Sequence, residues 1–207
     1  MDLGRNPRYN PIILFDNKVA SEDWICRHFH IPLQSGDDCI LQRMNRRYSS
    51  REFSDVIEKI FKLIPRAAIG ADIMAGFPGE DKNAFLNSLS LLENLPLSYL
   101  HVFPYSPRKG TRAAGFPDKV NEKTTKERAG QLRRLGRHKR EIFYNSCIGE
   151  DVPVIMEGWA SDNMRMVRGL SDNYLKIIFP SDKLIRDSVI RVRVKNVNKG
   201  SIIGRII

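Results

Sequence analysis

Cysteine is scarce in this 207-residue chain: Cys26, Cys39 and Cys147 are the only three, and they lie far apart. No pair has metal-ligand spacing, and an odd, scattered set argues against a disulfide framework. Ordinary thiols in a reducing compartment are expected. Long apolar runs are missing too. None approaches the roughly 18 residues that a membrane-spanning helix needs. The opening residues, Met1-Asp2-Leu3-Gly4-Arg5-Asn6-Pro7-Arg8, lack the apolar stretch of a signal peptide. The expectation is a cytoplasmic protein with no membrane contact. Catalytic triads, phosphate-binding glycine loops, dinucleotide fingerprints and paired carboxylates are likewise absent. The residues by themselves therefore specify no reaction, and no catalytic residue or metal ligand is assigned.

What is present is an ordinary core and an uneven charge. Hydrophobic residues make up 42% of the chain, and its length suits one large domain or a medium one plus a small one. The net charge is +10. Residues 1–104 carry 12 Lys and Arg against 13 Asp and Glu, whereas residues 105–145 carry 12 against 4 and residues 146–207 carry 10 against 7. The positive field thus sits in one connecting segment and, more weakly, in the C-terminal part. A basic patch beside a small β-module points to nucleic acid.

The periodicity divides the chain in the same way. Pro11-Ile12-Ile13-Leu14-Phe15 is too short for the pattern to decide between strand and helix. Phe29 to Leu33 reads as a strand end, and Ile40, Leu41 and Met44 follow at helical spacing. Ser49-x-x-Glu52 is a capping box. After it, Phe53, Val56, Ile57, Ile60, Phe61 and Ile64 recur on one helical face. Ala67 to Met74 reads as a buried strand. Phe85, Leu86, Leu89 and Leu92 mark a second amphipathic helix, and Tyr99 to Phe103 another strand. Residues 104–118 read as a loop. A long basic helix spans about Glu122 to Asn145, with Leu132, Leu135, Ile142 and Phe143 as its sparse apolar positions. Beyond Ser146 the period changes from 3.6 to 2. Strands are expected at Val152–Glu157, Tyr174–Phe179, Val189–Val194 and Ser201–Ile207, four or five in all. Ile190, Val192 and Val194 alternate with Arg191, Arg193 and Lys195, giving one apolar and one basic face. The boundary between the two parts is placed near Ser146, dividing 1–145 from 146–207.

Three segments carry the candidate chemistry: His30-Ile31-Pro32-Leu33-Gln34-Ser35-Gly36, Gly76-Phe77-Pro78-Gly79-Glu80 and His101-Val102-Phe103-Pro104-Tyr105-Ser106-Pro107. Each ends a strand-like run, where a parallel α/β barrel places its ligand site. The glycines let backbone amides approach a ligand, and Glu80 lies near the next helix start, where it complements the dipole. The same pentapeptide also serves as a plain strand-to-helix turn. Gln34 and Ser35 offer an amide and a hydroxyl to a barrel mouth, or a cap to the following helix. His30 reads as a ligand, a base or a satisfied structural residue. Asp72, in an otherwise apolar strand, requires a polar site or a basic partner.

In order and spacing these segments resemble the second half of a radical S-adenosylmethionine methylthiotransferase, of the type that modifies threonylcarbamoyl-adenosine in tRNA. The resemblance runs from about Arg27 to the C-terminus. Leu170-Ser171-Asp172-Asn173-Tyr174 is similar to a string of the family's TRAM domain. It implies the C-terminal half of a TIM-like (β/α) barrel followed by a small antiparallel, OB-like RNA-binding β-barrel. It implies S-adenosylmethionine on the side of Gln34, Ser35, Asp72, Met74 and Gly76, with the adenine bordered by Phe103 and Tyr105. It also implies two [4Fe–4S] clusters, and a tRNA anticodon arm as partner. Arg133, Arg134, Arg137, Arg191, Arg193 and Lys195 are expected on that RNA. The family's Cys-x3-Cys-x2-Cys motif is absent, so the N-terminal portion of the same enzyme is expected upstream of residue 1, and this chain alone is expected to be inactive. The competing readings are a non-catalytic RNA-binding protein that keeps the half-barrel as scaffold, and a methylthiotransferase for isopentenyl-adenosine or for a ribosomal protein.

Overall fold

The computed structural model describes residues 25–160, 165–185, 188–198 and 200–207. The apolar run at Pro11–Phe15 lies outside the described residues. Three parallel strands come first: β1 (His28–Gln34), β2 (Ala68–Ala75) and β3 (Tyr99–Pro104), ordered β1-β2-β3. Four helices accompany them: α1 (Asp38–Arg43), α2 (Ser50–Leu63), α3 (Lys82–Asn94) and α4 (Glu122–Ser146). Parallel neighbours need crossovers. Helices α1 and α2 lie between β1 and β2, and α3 lies between β2 and β3.

Local chemistry fixes the helix starts. Ser49 and Glu52 form the expected reciprocal capping box on α2. Asp37 and Asp81 cap α1 and α3 by accepting from the amides of Ile40 and Ala84. One core joins Phe53, Ile57 and Ile60 of α2, Phe85 and Leu92 of α3, and Ala129 and Leu132 of α4 to the sheet residues Leu33, Ile69, Ala71 and Ile73. Three apolar helix positions expected in the core are exposed instead: Phe61 and Ile142, each 56% exposed, and Leu86, 45% exposed. Small residues let α4 lie close. A Cβ on Gly136 would stand 3.1 Å from Leu100 Cβ.

The rest of the chain is a second β structure with its own core. Strands β4 (Asp151–Trp159), β5 (Met166–Ser171), β6 (Lys176–Pro180), β7 (Val189–Asn198) and β8 (Ser201–Ile206) close in the order β4-β5-β6-β8-β7. Val152, Val154, Val167, Ile177, Phe179, Val192 and Val194 fill it, with Cys147 at its base. The barrel is mixed, not antiparallel as expected. Strands β6 and β8 run parallel, with Ile177 opposite Ile202. The reason is topological: five strands in a closed ring cannot alternate direction throughout, so at least one pair must be parallel. Tyr174 belongs to a turn with φ +64° rather than to a strand.

The barrel meets the sheet at the N-terminal ends of the strands. Arg27, just before β1, pairs with Asp172 at 2.6 Å, and Arg66, just before β2, pairs with Glu150 at 3.0 Å. The Asn173 amide donates to the Arg66 carbonyl, and Tyr174 stacks on His28 with ring centroids 4.0 Å apart.

Candidate functional site

Strand alternation gives the sheet two faces. Ile69, Ala71, Ile73 and Ala75 pack toward the helices. The opposite face of β2 carries Gly70, Asp72 and Met74. By the parallel register, Tyr99, His101 and Phe103 stand beside them on β3. His28 and His30 complete this face on β1. Asp72, Met74 and Phe103 therefore share one surface, and Phe103 is 48% exposed.

The residues that sequence reasoning missed on this face are His28, Tyr99 and His101. Asp72 Oδ1 accepts from His30 Nε2 at 2.7 Å, and His101 Nδ1 lies 3.6 Å from the same oxygen. The Tyr99 hydroxyl lies 2.7 Å from His28 Nε2 and 3.1 Å from His30 Nδ1. Gly70 makes this possible. A Cβ there would fall 2.0 Å from the Tyr99 ring, so only glycine lets that ring cross β2. Burial, then repulsion from His30 and His101, lowers the pKa of His28. Burial pushes the Tyr99 phenol up to about 12. These groups line a cavity of about 650 Å³, together with Arg140, Tyr174 and Lys176.

The C-terminal strand ends form a second site. Gly76 and Gly79 take φ of +80° and +91°, a conformation that L side chains rarely adopt. Glu80 does not serve the next helix, whose cap is Asp81. It is buried, accepts from the Gly76 amide and pairs with Arg128 of α4 at 3.1 Å. The turn is thus tied to the start of α4. Burial raises the Glu80 pKa, opposed by the Gly76 amide and by Arg128. A cavity of about 450 Å³ opens here, lined by Gly76, Pro78, Tyr105, Ser106, Lys119 and Thr125. Gly76 and Tyr105 thus meet around one space. The Tyr105 hydroxyl is buried with no hydrogen-bond partner among the described residues. Gln34, with φ +71°, ends β1 at an irregularity in its pairing. Ser35 departs from the expected placement at the mouth. It is buried, with its hydroxyl 3.4 Å from Ser88 of α3 and accepting from the Asp37 amide.

The basic residues divide into two groups. Arg133, Arg134 and Arg137 are exposed along α4, and Arg191, Arg193 and Lys195 are exposed on the outer face of β7. Arg128 and Lys139, in the same basic stretch, are not free for a ligand. Arg128 holds Glu80, and Lys139 donates to the carbonyls of Glu93 and Leu95 at the end of α3. Arg193 is engaged as well, making a two-pronged pair with Asp151 at 2.6 and 2.7 Å.

No family model matches the chain. Individual curated proteins do. The threonylcarbamoyladenosine tRNA methylthiotransferase of Bacillus subtilis is 33% identical over 83% of this chain and 39% of its own length. The tRNA-2-methylthio-N(6)-dimethylallyladenosine synthase of Dictyoglomus thermophilum is 34% identical over 91% of this chain and 43% of its own. A threonylcarbamoyladenosine tRNA methylthiotransferase of Rickettsia prowazekii is 42% identical over 67% of this chain and 33% of its own. The chain belongs to the methylthiotransferase family. It spans about two fifths of the length of the first of these relatives. The iron–sulfur clusters that the family resemblance implies do not fit the cysteines described here. Cys26 and Cys39 are exposed, Cys147 is buried in the barrel core, and none joins a group of three ligand-bearing side chains among the described residues. The strand-end cavity, about 450 Å³, is of the size that holds a small polar cofactor.

Proposed function

We propose that this chain is the cofactor-side half-barrel and RNA grip of a methylthiotransferase that adds a methylthio group to N6-threonylcarbamoyladenosine at position 37 of tRNA. One observation carries the reading. Three parallel strands gather the Gly76 turn and Tyr105 around one cavity, and a single basic helix joins them to a closed β-barrel with a basic face. The relative at 42% identity bears the threonylcarbamoyladenosine name, which supports that substrate over isopentenyl-adenosine.

In this reading residues 1–145 belong to the radical barrel, and residues 146–207 form a TRAM-type unit. Gly76 and Tyr105 at the cavity, with Met74, Phe103 and Gln34 near the ends of the three strands, hold S-adenosylmethionine, which supplies the methyl group and the radical. Asp72 lies deeper on the same face. The clusters are held by the N-terminal portion of the same enzyme, and the work is done in the cytoplasm. Arg133, Arg134 and Arg137 on α4 and Arg191, Arg193 and Lys195 on β7 neutralise phosphates of the anticodon arm.

A salt titration of tRNA binding to the whole chain tests this. Phosphate contacts release counterions, so log affinity falls linearly with log salt, by about 0.7–0.9 per contact. The Arg133→Ala/Arg134→Ala and Arg191→Ala/Arg193→Ala pairs are each expected to weaken binding and flatten that slope. Wild-type affinity and slope in both pairs would remove the RNA role of these faces.

A further inference from the structure

We propose that His30, Asp72 and His101 form a binding site for one first-row divalent metal ion. This rests on the face of the sheet that carries Asp72 and not on the methylthiotransferase reading. Three adjacent parallel strands each contribute one ligand. Asp72 and His101 are direct partners in register, and His30 reaches Asp72 diagonally, past Gly70. The three ligand atoms lie within 4.8 Å of one another.

The spacing argues for an ion rather than for hydrogen bonding alone. His30 Nε2 meets Asp72 Oδ1 at 2.7 Å, but His101 Nδ1 aims at the same oxygen and stops at 3.6 Å. That gap is beyond hydrogen-bond reach. A metal about 2.1 Å from each ligand, at tetrahedral to octahedral angles, needs ligand atoms about 3.0–3.4 Å apart. The 2.7 and 3.6 Å separations straddle that value, and rotation of the half-exposed His101 ring is what must also close the widest ligand-atom spacing, which is up to 4.8 Å. Two imidazoles and one carboxylate are the donor set of borderline divalent ions such as zinc, cobalt, nickel and iron(II). Among the described residues their side chains are 30%, 23% and 52% exposed, which leaves space for an ion and for water in its other positions. The outer partner is in place too. Tyr99 Oη lies 3.1 Å from His30 Nδ1, leaving Nε2 directed at the site, and Tyr99 is itself held by His28 at 2.7 Å.

Calorimetric titration of the metal-free whole chain with Zn²⁺, and with Co²⁺ followed by visible absorbance, tests the proposal. The expected result is one equivalent bound, with cobalt d–d bands and no thiolate charge transfer. His101→Ala and Asp72→Asn are each expected to weaken binding more than about ten-fold. Tyr99→Phe is expected to weaken it by about ten-fold through loss of the outer hydrogen bond. The Cys26→Ser/Cys39→Ser pair is expected to bind as wild type. Circular dichroism and melting check each variant. If Asp72→Asn fails to fold, His101→Ala decides, because that side chain is half exposed. The proposal is overturned by the absence of saturable binding, by unchanged affinity in a folded His101→Ala, or by loss of binding in the cysteine pair.

Discussion

Lys139 shows at the scale of one residue how a charge that reads as surface comes to be internal. It sits among arginines on α4, yet it is buried and donates to the Glu93 and Leu95 carbonyls, at 3.1 and 2.8 Å. A cation there answers both the unpaired carbonyls and the negative end of the α3 dipole. Burial lowers its pKa from the ordinary 10.5, although Glu93 opposes the shift. The folded state therefore prefers the neutral amine more than the unfolded state does. The part of the Lys139 contribution that depends on its ionisation is full above pH 10.5 and is lost as pH falls through the lowered value, while the hydrogen bonds to the two carbonyls are made in both states. Chemical denaturation of wild type and Lys139→Met across alkaline pH is expected to show two things. The variant is less stable, by about 1–3 kcal/mol for the carbonyls left unpaired. It also lacks the part of the pH dependence that Lys139 supplies. Identical pH profiles would contradict the assignment. The sequence gives no warning of this role, because the partners are backbone atoms of another helix end.

At the scale of elements, the turn after β2 works through its tie to α4. Glu80 and Arg128 are nearly enclosed, with side chains 3% and 11% exposed. Removing one member of a buried pair strands the other charge, at a cost of about 3–5 kcal/mol. Glu80→Leu and Arg128→Leu are each expected to destabilise the chain by that order, and the double variant by clearly less than the two combined. Additive losses in a double-mutant cycle would mean the two do not act as a pair. How much of such an element is legible in sequence depends on whether its determinants are local. The capping box at Ser49 and Glu52, the α2 stripe and the alternation of β7 all are, and they were readable. Strand β5 was not specifically readable. Its inward positions Gly169 and Ser171 carry no large apolar side chain, so the period-2 signal fades after Val167. The His30–Asp72–His101 face was half readable. Each strand shows its polar parity, but which residues meet depends on the register between strands.

For the whole molecule, the placement of charge decides how far the chain's +10 is available to a polyanion. Some of it is consumed internally, by Glu80, by Asp172 and by the α3 carbonyls. On the barrel, Asp151 faces Arg193 with both oxygens and accepts from Arg191 through its carbonyl at 3.4 Å. Arg193, with Arg191 and Lys195 nearby, holds the Asp151 carboxyl below its usual range. This carboxylate therefore stays ionised at neutral pH and competes with phosphate for the basic face. Asp151→Asn keeps the side-chain shape while removing the competing charge. If the β7 face grips RNA, this variant is expected to bind tRNA more tightly than wild type at low salt. Its log–log salt slope is expected to steepen by up to about 0.9, the value of one further phosphate contact. The advantage is expected to fade at high salt, where screening weakens the exposed charges on both sides. The same change on the background of Arg191→Ala/Arg193→Ala is expected to have little effect, because the residue that Asp151 restrains is gone. A gain of affinity that survives in that background would place the effect elsewhere on the surface and would separate Asp151 from the β7 face.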